Sequence, residues 1–276
     1  MEEPTTLTQR VATLADRRRI GVIPVRGVIG GALRTDLLLK TIGAARRNRN
    51  IRAVVLEIDS PGGAAIASEA LYVAVRKLAA AKPVVAWIRG VGASGAYFLA
   101  CGATRIIAFP GAVVGSIGVI SVRPVAAGLL QRIGARVVVT KTGRFKDLGA
   151  PWREPEPDDL AKEDQLVQAV FRRFTGAVAL ARGFDGPALE RVTTGEVWLG
   201  ADAVDLGLVD GTADDEDAAL GAAQDLASLP HRKVQRLQPR RSLLQRAGLP
   251  LSGMGPPGER WLVELEGWLQ TPAVRL

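Results

Sequence analysis

Ala53-Val54-Val55-Leu56-Glu57-Ile58-Asp59-Ser60-Pro61-Gly62-Gly63 is a rich apolar run, largely β-branched, that ends abruptly in turn-forming residues. With Glu57 as its one polar member before Asp59, it suits a parallel strand covered on both faces, since a strand with one wet face would alternate. Pro61 and the paired glycines then stop it. Upstream, Ile20 to Val25 reads as a second buried strand, and Leu33 to Arg46 between them has helical composition. Downstream, Ala64 to Ala81 is an alanine-rich helix with Glu69, Arg76 and Lys77 for its wet side, and Pro83 to Ile88 is a third strand. This alternation predicts an α/β layered fold with largely parallel strands.

Farther along, Ser94 to Cys101 reads as a buried helix, Arg105 to Ala108 and Ile117 to Val122 as short strands, and the stretch near Val125 to Ile133 as a helix. Arg136 to Thr140 reads as a strand. Asp158-Asp159 sit where the positive end of a helix dipole favours them, at the start of a long helix over Leu160 to Arg182. The organisation expected is an N-terminal extension over 1–19, one domain over 20–229, and a basic tail over 230–276. In that tail a linker rich in proline, glycine and arginine leads to Glu259 to Gln270, where Trp261, Leu262, Leu265, Trp268 and Leu269 fall at helical spacing. Such a helix packs on its own domain or a neighbouring subunit, or lies at a membrane surface.

Composition narrows the chemistry. The 276 residues are 47% apolar and 23% charged, a globular balance, with one cysteine and one histidine. One cysteine forbids an intramolecular disulfide or a Cys-based zinc site, and one histidine forbids multi-histidine metal sites, which removes most metal chemistry; no cofactor or metal is expected. His231 would have to serve as the base of any Ser-His mechanism, yet it stands in the linker-like tail. The net charge of +8 is mostly a tail property, since eight Lys/Arg face three Asp/Glu from His231 onward. The clusters Arg17 to Arg19 and Arg240-Arg241 could touch phosphates or acidic lipid headgroups, but they lack aromatic stacking partners and read as ordinary solvated charge, and no nucleic-acid partner is expected. Met1 to Arg19 lacks the apolar core of a signal peptide. The longest uncharged run, Ile106 to Val122, is interrupted by Pro110 and glycines, so a cytoplasmic protein without a spanning segment is expected.

Three polar islands interrupt the apolar surroundings. Asp59 to Gly63 follows a buried strand, and its glycines let backbone N–H groups approach a ligand, although Pro-Gly-Gly is also an ordinary turn. Gly92-Ala93-Ser94-Gly95-Ala96 places a serine among small residues at a helix start, a setting for a nucleophile beside an oxyanion-binding N–H or for a simple helix cap. The third island runs from Lys141 to Glu154. A lysine can act as base if it is moved from its ordinary pKa near 10.4 to about 7, at about 4.6 kcal/mol, which requires an apolar, shielded place. Lys146, between Phe145 and the Leu148 to Trp152 stretch, suits this better than Lys141.

Taken in order, these islands resemble the signal peptide peptidase SppA family, Ser/Lys-dyad serine peptidases of the ClpP/crotonase-like fold, a spiral of β-β-α units. The resemblance runs from about Ile20 to Gly211 and includes Ile20 to Val25, Asp59 to Gly63, Gly92 to Phe98, Gly115 to Val119, Phe145 to Glu154 and Gly195 to Asp210. It implies Ser94 as nucleophile, Lys146 as general base, Gly63 and Gly95 as oxyanion-hole donors, and Ser116 as the residue orienting the lysine amine. It further implies hydrophobic peptide substrates, such as remnant signal peptides, and a homo-oligomer in which Lys146 serves a neighbouring subunit. Members commonly begin with a membrane anchor, which is not evident here. The tail from Pro230 has no counterpart and is read as a lipid tether or a strap over the active sites. Two alternatives use the same residues differently: a crotonase-type acyl-CoA enzyme, which leaves Ser94 and Lys146 unexplained, and a non-catalytic scaffold whose tail binds membranes or partner proteins.

Overall fold

Arg19–Arg26 (β1), Ile51–Ser60 (β2) and Val84–Ala93 (β3) lie side by side as the parallel centre of a sheet. They belong to a computed structural model that describes residues 17–238 and 274–275. In β2 the side chains of Val54, Leu56 and Ile58 on one face and of Ala53 and Val55 on the other are all fully buried. That is why the run lacks alternation.

The crossovers between these strands are Thr35–Arg47 (α1) and Ala65–Ala79 (α2), which pack against each other. In α1 the buried side, Leu38, Thr41, Ile42 and Ala45, recurs at helical spacing, with Asp36 in the first turn and Arg46 and Arg47 in the last. Its carbonyl end is closed by the Lys82 ammonium, which donates to the carbonyls of Ala45 (2.8 Å), Asn48 (3.0 Å) and Ile51 (2.8 Å).

The chain continues through Gly95–Ala100 (α3), Arg105–Ala108 (β4), Val113–Gly115 (β5), Ile120–Ser121 (β6), Ala127–Arg132 (α4) and Pro157–Arg182 (α5). Gly186–Val192 (α6), Val197–Leu199 (β7), Gly200–Asp205 (α7), Glu216–Leu226 (α8), Val234–Arg236 (β8) and Val274–Arg275 (β9) complete it. The main sheet has the order β7-β5-β3-β2-β1-β8, with β4 also paired to β3, and every pairing in it is parallel except β5 with β7. This is the mixed α/β architecture with a mostly parallel sheet that the alternation of elements predicts. Helix α8 lays Ala219, Leu220 and Ala223 on the sheet face made by Ile20, Val22, Val55 and Val85.

Among the described residues, 17–118 with 173–238 form one compact unit, and 119–172 with 274–275 form another. The first holds the main sheet. The second holds α4, the first part of α5, the antiparallel pair β6-β9 and a long irregular stretch between α4 and α5.

Several expectations are corrected. Arg136 to Thr140 is exposed and irregular, because its three valines meet no partner strand among the described residues, and β propensity is realised only against neighbours. Within Ile117 to Val122 only Ile120–Ser121 is a strand, and β5 precedes it unforeseen. Strand β3 runs on past Ile88 through two glycines because Val91, Gly92 and Ala93 pair with Val113, Val114 and Gly115. The chain just after Pro230 is not purely linker, since β8 pairs with the start of β1 through Ile20, Gly21 and Val22. The helix expected over Glu259 to Gln270 lies outside the described residues.

Candidate active site

The three central strands deliver their loops to one edge of the sheet. There the chain after β2 turns back under its own bonds: the Ser60 hydroxyl donates to the Gly27 carbonyl (2.6 Å) and accepts from the Gly62 N–H (3.2 Å). The Ile29 N–H donates to the Gly62 carbonyl (2.7 Å), and the Ile29 carbonyl accepts from Ala64 N–H (2.9 Å). Residues on either side of Gly63 are thus pinned, while the Gly63 N–H donates no hydrogen bond among the described residues.

At the same edge Ser94 joins β3 to α3 with φ 55° and ψ −124°. A non-glycine residue held at positive φ costs on the order of 1–3 kcal/mol and persists only where its surroundings over-determine it. Here the Ser94 N–H donates to the Gly115 carbonyl (2.7 Å), the Ser94 carbonyl accepts from Phe98 N–H (2.9 Å), and α3 is buried along its whole length. Phe98 lies between Tyr72 of α2 and Phe174 of α5, ring centroids 4.9 and 4.8 Å away, and the buried Tyr97 hydroxyl donates to the Leu208 carbonyl (2.6 Å). The Ser94 hydroxyl does not cap α3 and makes no hydrogen bond among the described residues. The capping role that the sequence also allowed is therefore not the one it plays.

The two loops interlock. A Cβ on Gly62 would stand 2.6 Å from the Gly95 nitrogen and 2.9 Å from the Ser94 Cβ, and one on Gly95 would stand 3.4 Å from the Gly63 nitrogen and 2.1 Å from the Ser68 hydroxyl. Only glycine tolerates approaches this close. The Gly95 N–H, like that of Gly63, donates no hydrogen bond among the described residues. Ser94, Gly63 and Gly95 are brought together, with Ser116 next to the carbonyl that holds Ser94. Ser116 is itself at φ 52°, its N–H bonded to the Glu196 carbonyl at 2.6 Å.

Two candidate bases are displaced by topology. His231 precedes β8, which is parallel to β1 and pairs with its start, so His231 lies at the opposite edge of the sheet from Ser94. A ten-residue strand puts that edge about 30 Å away. Lys82 precedes β3 and so lies at the same remote edge. Burial, with a smaller repulsion from Arg52, lowers its pKa, but its ammonium is committed to three carbonyls.

Lys146 belongs to the second unit and is exposed. Its N–H closes a turn on the Gly143 carbonyl at 3.1 Å. The apolar neighbours expected to shield it, Phe145 and Trp152, are themselves 40% and 37% exposed, so the single chain supplies no dry setting for the amine. The sequence reading overlooked Ser68, which backs Gly95, and Ile29, whose backbone holds Gly62 and Ala64. A serine on the apolar side of α2, three residues after Ala65, was the available signal for the first. Nothing local marked the second.

No group of three or more His, Cys, Asp or Glu that could hold a metal occurs among the described residues. Nor, among them, is any helix long and apolar enough to cross a membrane.

The family model for peptidase family S49 matches residues 76–229. The chain is 33% identical over 205 residues to the chloroplastic serine protease SPPA of Arabidopsis thaliana, covering 74% of this chain and 30% of that protein, so it spans less than a third of that relative. It is also 33% identical over 221 residues to slr0021 of Synechocystis sp., covering 79% of this chain and 78% of that protein. Among solved structures, a mutant of the 1510-N membrane-bound stomatin-specific protease aligns with a TM-score of 0.49 and 17% identity, over 81% of this chain and 99% of that one.

Proposed function

Because the chain belongs to peptidase family S49, we propose that it is a serine endopeptidase in which Ser94 is the nucleophile and Lys146 the general base. The observation that carries this reading is Ser94 itself: a strained, uncapped serine at a strand-to-helix turn, with two uncommitted N–H groups beside it. Such a turn presents a hydroxyl to a substrate, and paired N–H donors stabilise the oxyanion that forms on attack.

In this mechanism the neutral amine of Lys146 takes the Ser94 proton as Oγ attacks the peptide carbonyl. The N–H groups of Gly63 and Gly95 hold the oxyanion. The lysine then protonates the leaving amine, and a water repeats the cycle on the acyl-enzyme. Ser116 orients the amine through its hydroxyl. The exposure of Lys146 supports an assembly in which a second copy of the chain provides its dry surroundings, with the dyad shared between subunits. Exposed apolar side chains in the same unit, Ile120, Val122, Leu129, Ile133 and Val138 among them, favour burial against another copy. Hydrophobic peptides such as remnant signal peptides are the proposed substrates.

The test compares the wild type with Ser94→Ala and Lys146→Ala on an unstructured hydrophobic protein, reading products by mass spectrometry from pH 6 to 10. Loss of cleavage in each variant, with partial return when the two are mixed as subunits, is the expected result. Equal cleavage by all three sinks the dyad.

A further inference from the structure

Lys146 sits in a loop with no regular structure, yet its sequence neighbours on both sides are anchored to one place, the first turn of α5. The Arg153 guanidinium lies between two carboxylates. Its Nε and Nη2 donate to Asp147 Oδ2 (3.0 Å) and Oδ1 (3.1 Å), and its Nη1 donates to Asp159 Oδ2. Asp147 Oδ1 also accepts from the Lys141 ammonium (2.6 Å), which reaches back to the Arg144 carbonyl (3.0 Å). Asp159 accepts in addition from the Glu156 N–H (3.0 Å), and Arg144 pairs with Asp158. The carboxylates of Asp147 and Asp159 are 8% and 5% exposed, unusually dry for a surface loop. The Arg153 guanidinium, then the Lys141 ammonium, hold Asp147 well below the usual carboxylate range, and Arg153 with the Glu156 N–H lowers Asp159. Both carboxylates therefore stay ionised throughout the pH range in which a lysine base works.

The backbone is fixed along with the charges. Turns close from Lys146 N–H to Gly143, from Leu148 N–H to Phe145 and from Ala150 N–H to Asp147. The residue two before Lys146 and the residue after it are both tied down, and Lys146 itself takes no part in the network.

We propose that Asp147 and Arg153, seated on Asp159, are positioning residues that aim the Lys146 amine. The inference rests on the reading of Lys146 as the base. A loop of this length would otherwise lose conformational entropy at every residue each time the amine was aligned. A bidentate guanidinium between two carboxylates fixes that alignment in advance. Misplacing a reacting group by an ångström lowers turnover by up to about 100-fold.

The experiment measures kcat and KM on a soluble apolar peptide and on an activated ester for Asp147→Asn, Arg153→Ala and Arg153→Lys, each also in the Lys146→Ala background. Expected is a fall in kcat of about 10- to 100-fold for Arg153→Ala with KM within about twofold, and partial recovery in Arg153→Lys. In the Lys146→Ala background the same substitution should change the residual ester rate by less than about twofold, because there is no amine left to aim. If Arg153→Ala does not fold, Arg153→Lys and Asp147→Asn with unchanged melting temperatures carry the comparison. Full activity of the Arg153 and Asp147 variants, or an equal loss with and without Lys146, overturns the positioning role while leaving the dyad intact. Full activity of Lys146→Ala overturns the dyad, and this inference with it.

Discussion

The turn that carries Ser94 is held by packing, and the loop that carries Lys146 is held by charge. Around Ser94 the restraints are steric and dry: a buried helix, an aromatic stack through Tyr72, Phe98 and Phe174, and glycines with no room for a Cβ. Around Lys146 they are ionic and nearer to solvent: the two carboxylates are dry, but their cations are not, Arg153 being 24% exposed and Lys141 35%. A nucleophile at a strained φ needs a surrounding that cannot relax. On the proposed reading, in which Lys146 serves another copy of the chain, its loop needs to hold its shape on the surface before assembly. The two regions should accordingly fail under different insults.

Crowding should do the most damage at the serine. Gly95→Ala drives a methyl onto the Ser68 hydroxyl and its Cβ, so the Gly95 N–H must shift from its place, and cleavage should fall by up to about 100-fold, as for an oxyanion donor moved out of reach. Adding Ser68→Gly should return part of the activity by making room. If Gly95→Ala cleaves at the wild-type rate, the interlocked loops are not the oxyanion site.

Removing packing comes next. Phe98→Ala empties the middle of the aromatic stack and should cost about 3–5 kcal/mol of stability. Cys101, at the end of α3, offers a reporter. Burial, only partly opposed by Arg182, pushes its thiol up to about 12, so the folded protein should resist alkylation at pH 8. Phe98→Ala should take up label far faster than the wild type. Equal labelling rates would mean that α3 opens independently of its packing.

The contrast between the two regions also governs what the sequence disclosed. The buried strands were legible because Val54 to Ile58 carries its own hydrophobic pattern, and α1 and α2 because their composition is helical, alanine-rich in α2. Ser94, Gly63 and Gly95 were legible as small residues at strand ends. The positive φ of Ser94 was not, since no propensity predicts a serine there. That geometry does not identify a site unaided either, for Ser228 reaches φ 48° in the turn after α8. Two readings failed for want of information about partners. Val137 to Val139 looks like a strand and finds no neighbour among the described residues, whereas Val234–Arg236 is exposed, polar and patternless, yet is recruited by the edge of β1. The charge network escaped for a related reason. Lys141, Asp147, Arg153 and Asp159 are ordinary surface residues until folding brings them within hydrogen-bonding distance.

The smallest expected effect isolates that network without changing a residue. At 1 M salt the screening length falls to about 3 Å, so the exposed pairs Lys141 with Asp147 and Arg144 with Asp158 weaken, while burial around Ser94 is untouched. Raising sodium chloride from 0.05 to 1 M should therefore lower kcat on a soluble peptide by about two- to threefold. Hydrogen exchange should quicken in the Lys141 to Arg153 loop and stay constant across α3. The pH response has a definite sign. The folded pKa values of Asp147 and Asp159 are depressed, so their contribution is complete above the ordinary carboxylate range and is lost only as pH falls toward the depressed values. At low salt the loop should hold its protection at pH 5 and lose it only in stronger acid. Exchange in the loop that ignores both salt and acid would show that its hydrogen-bonded turns hold Lys146 without help from charge.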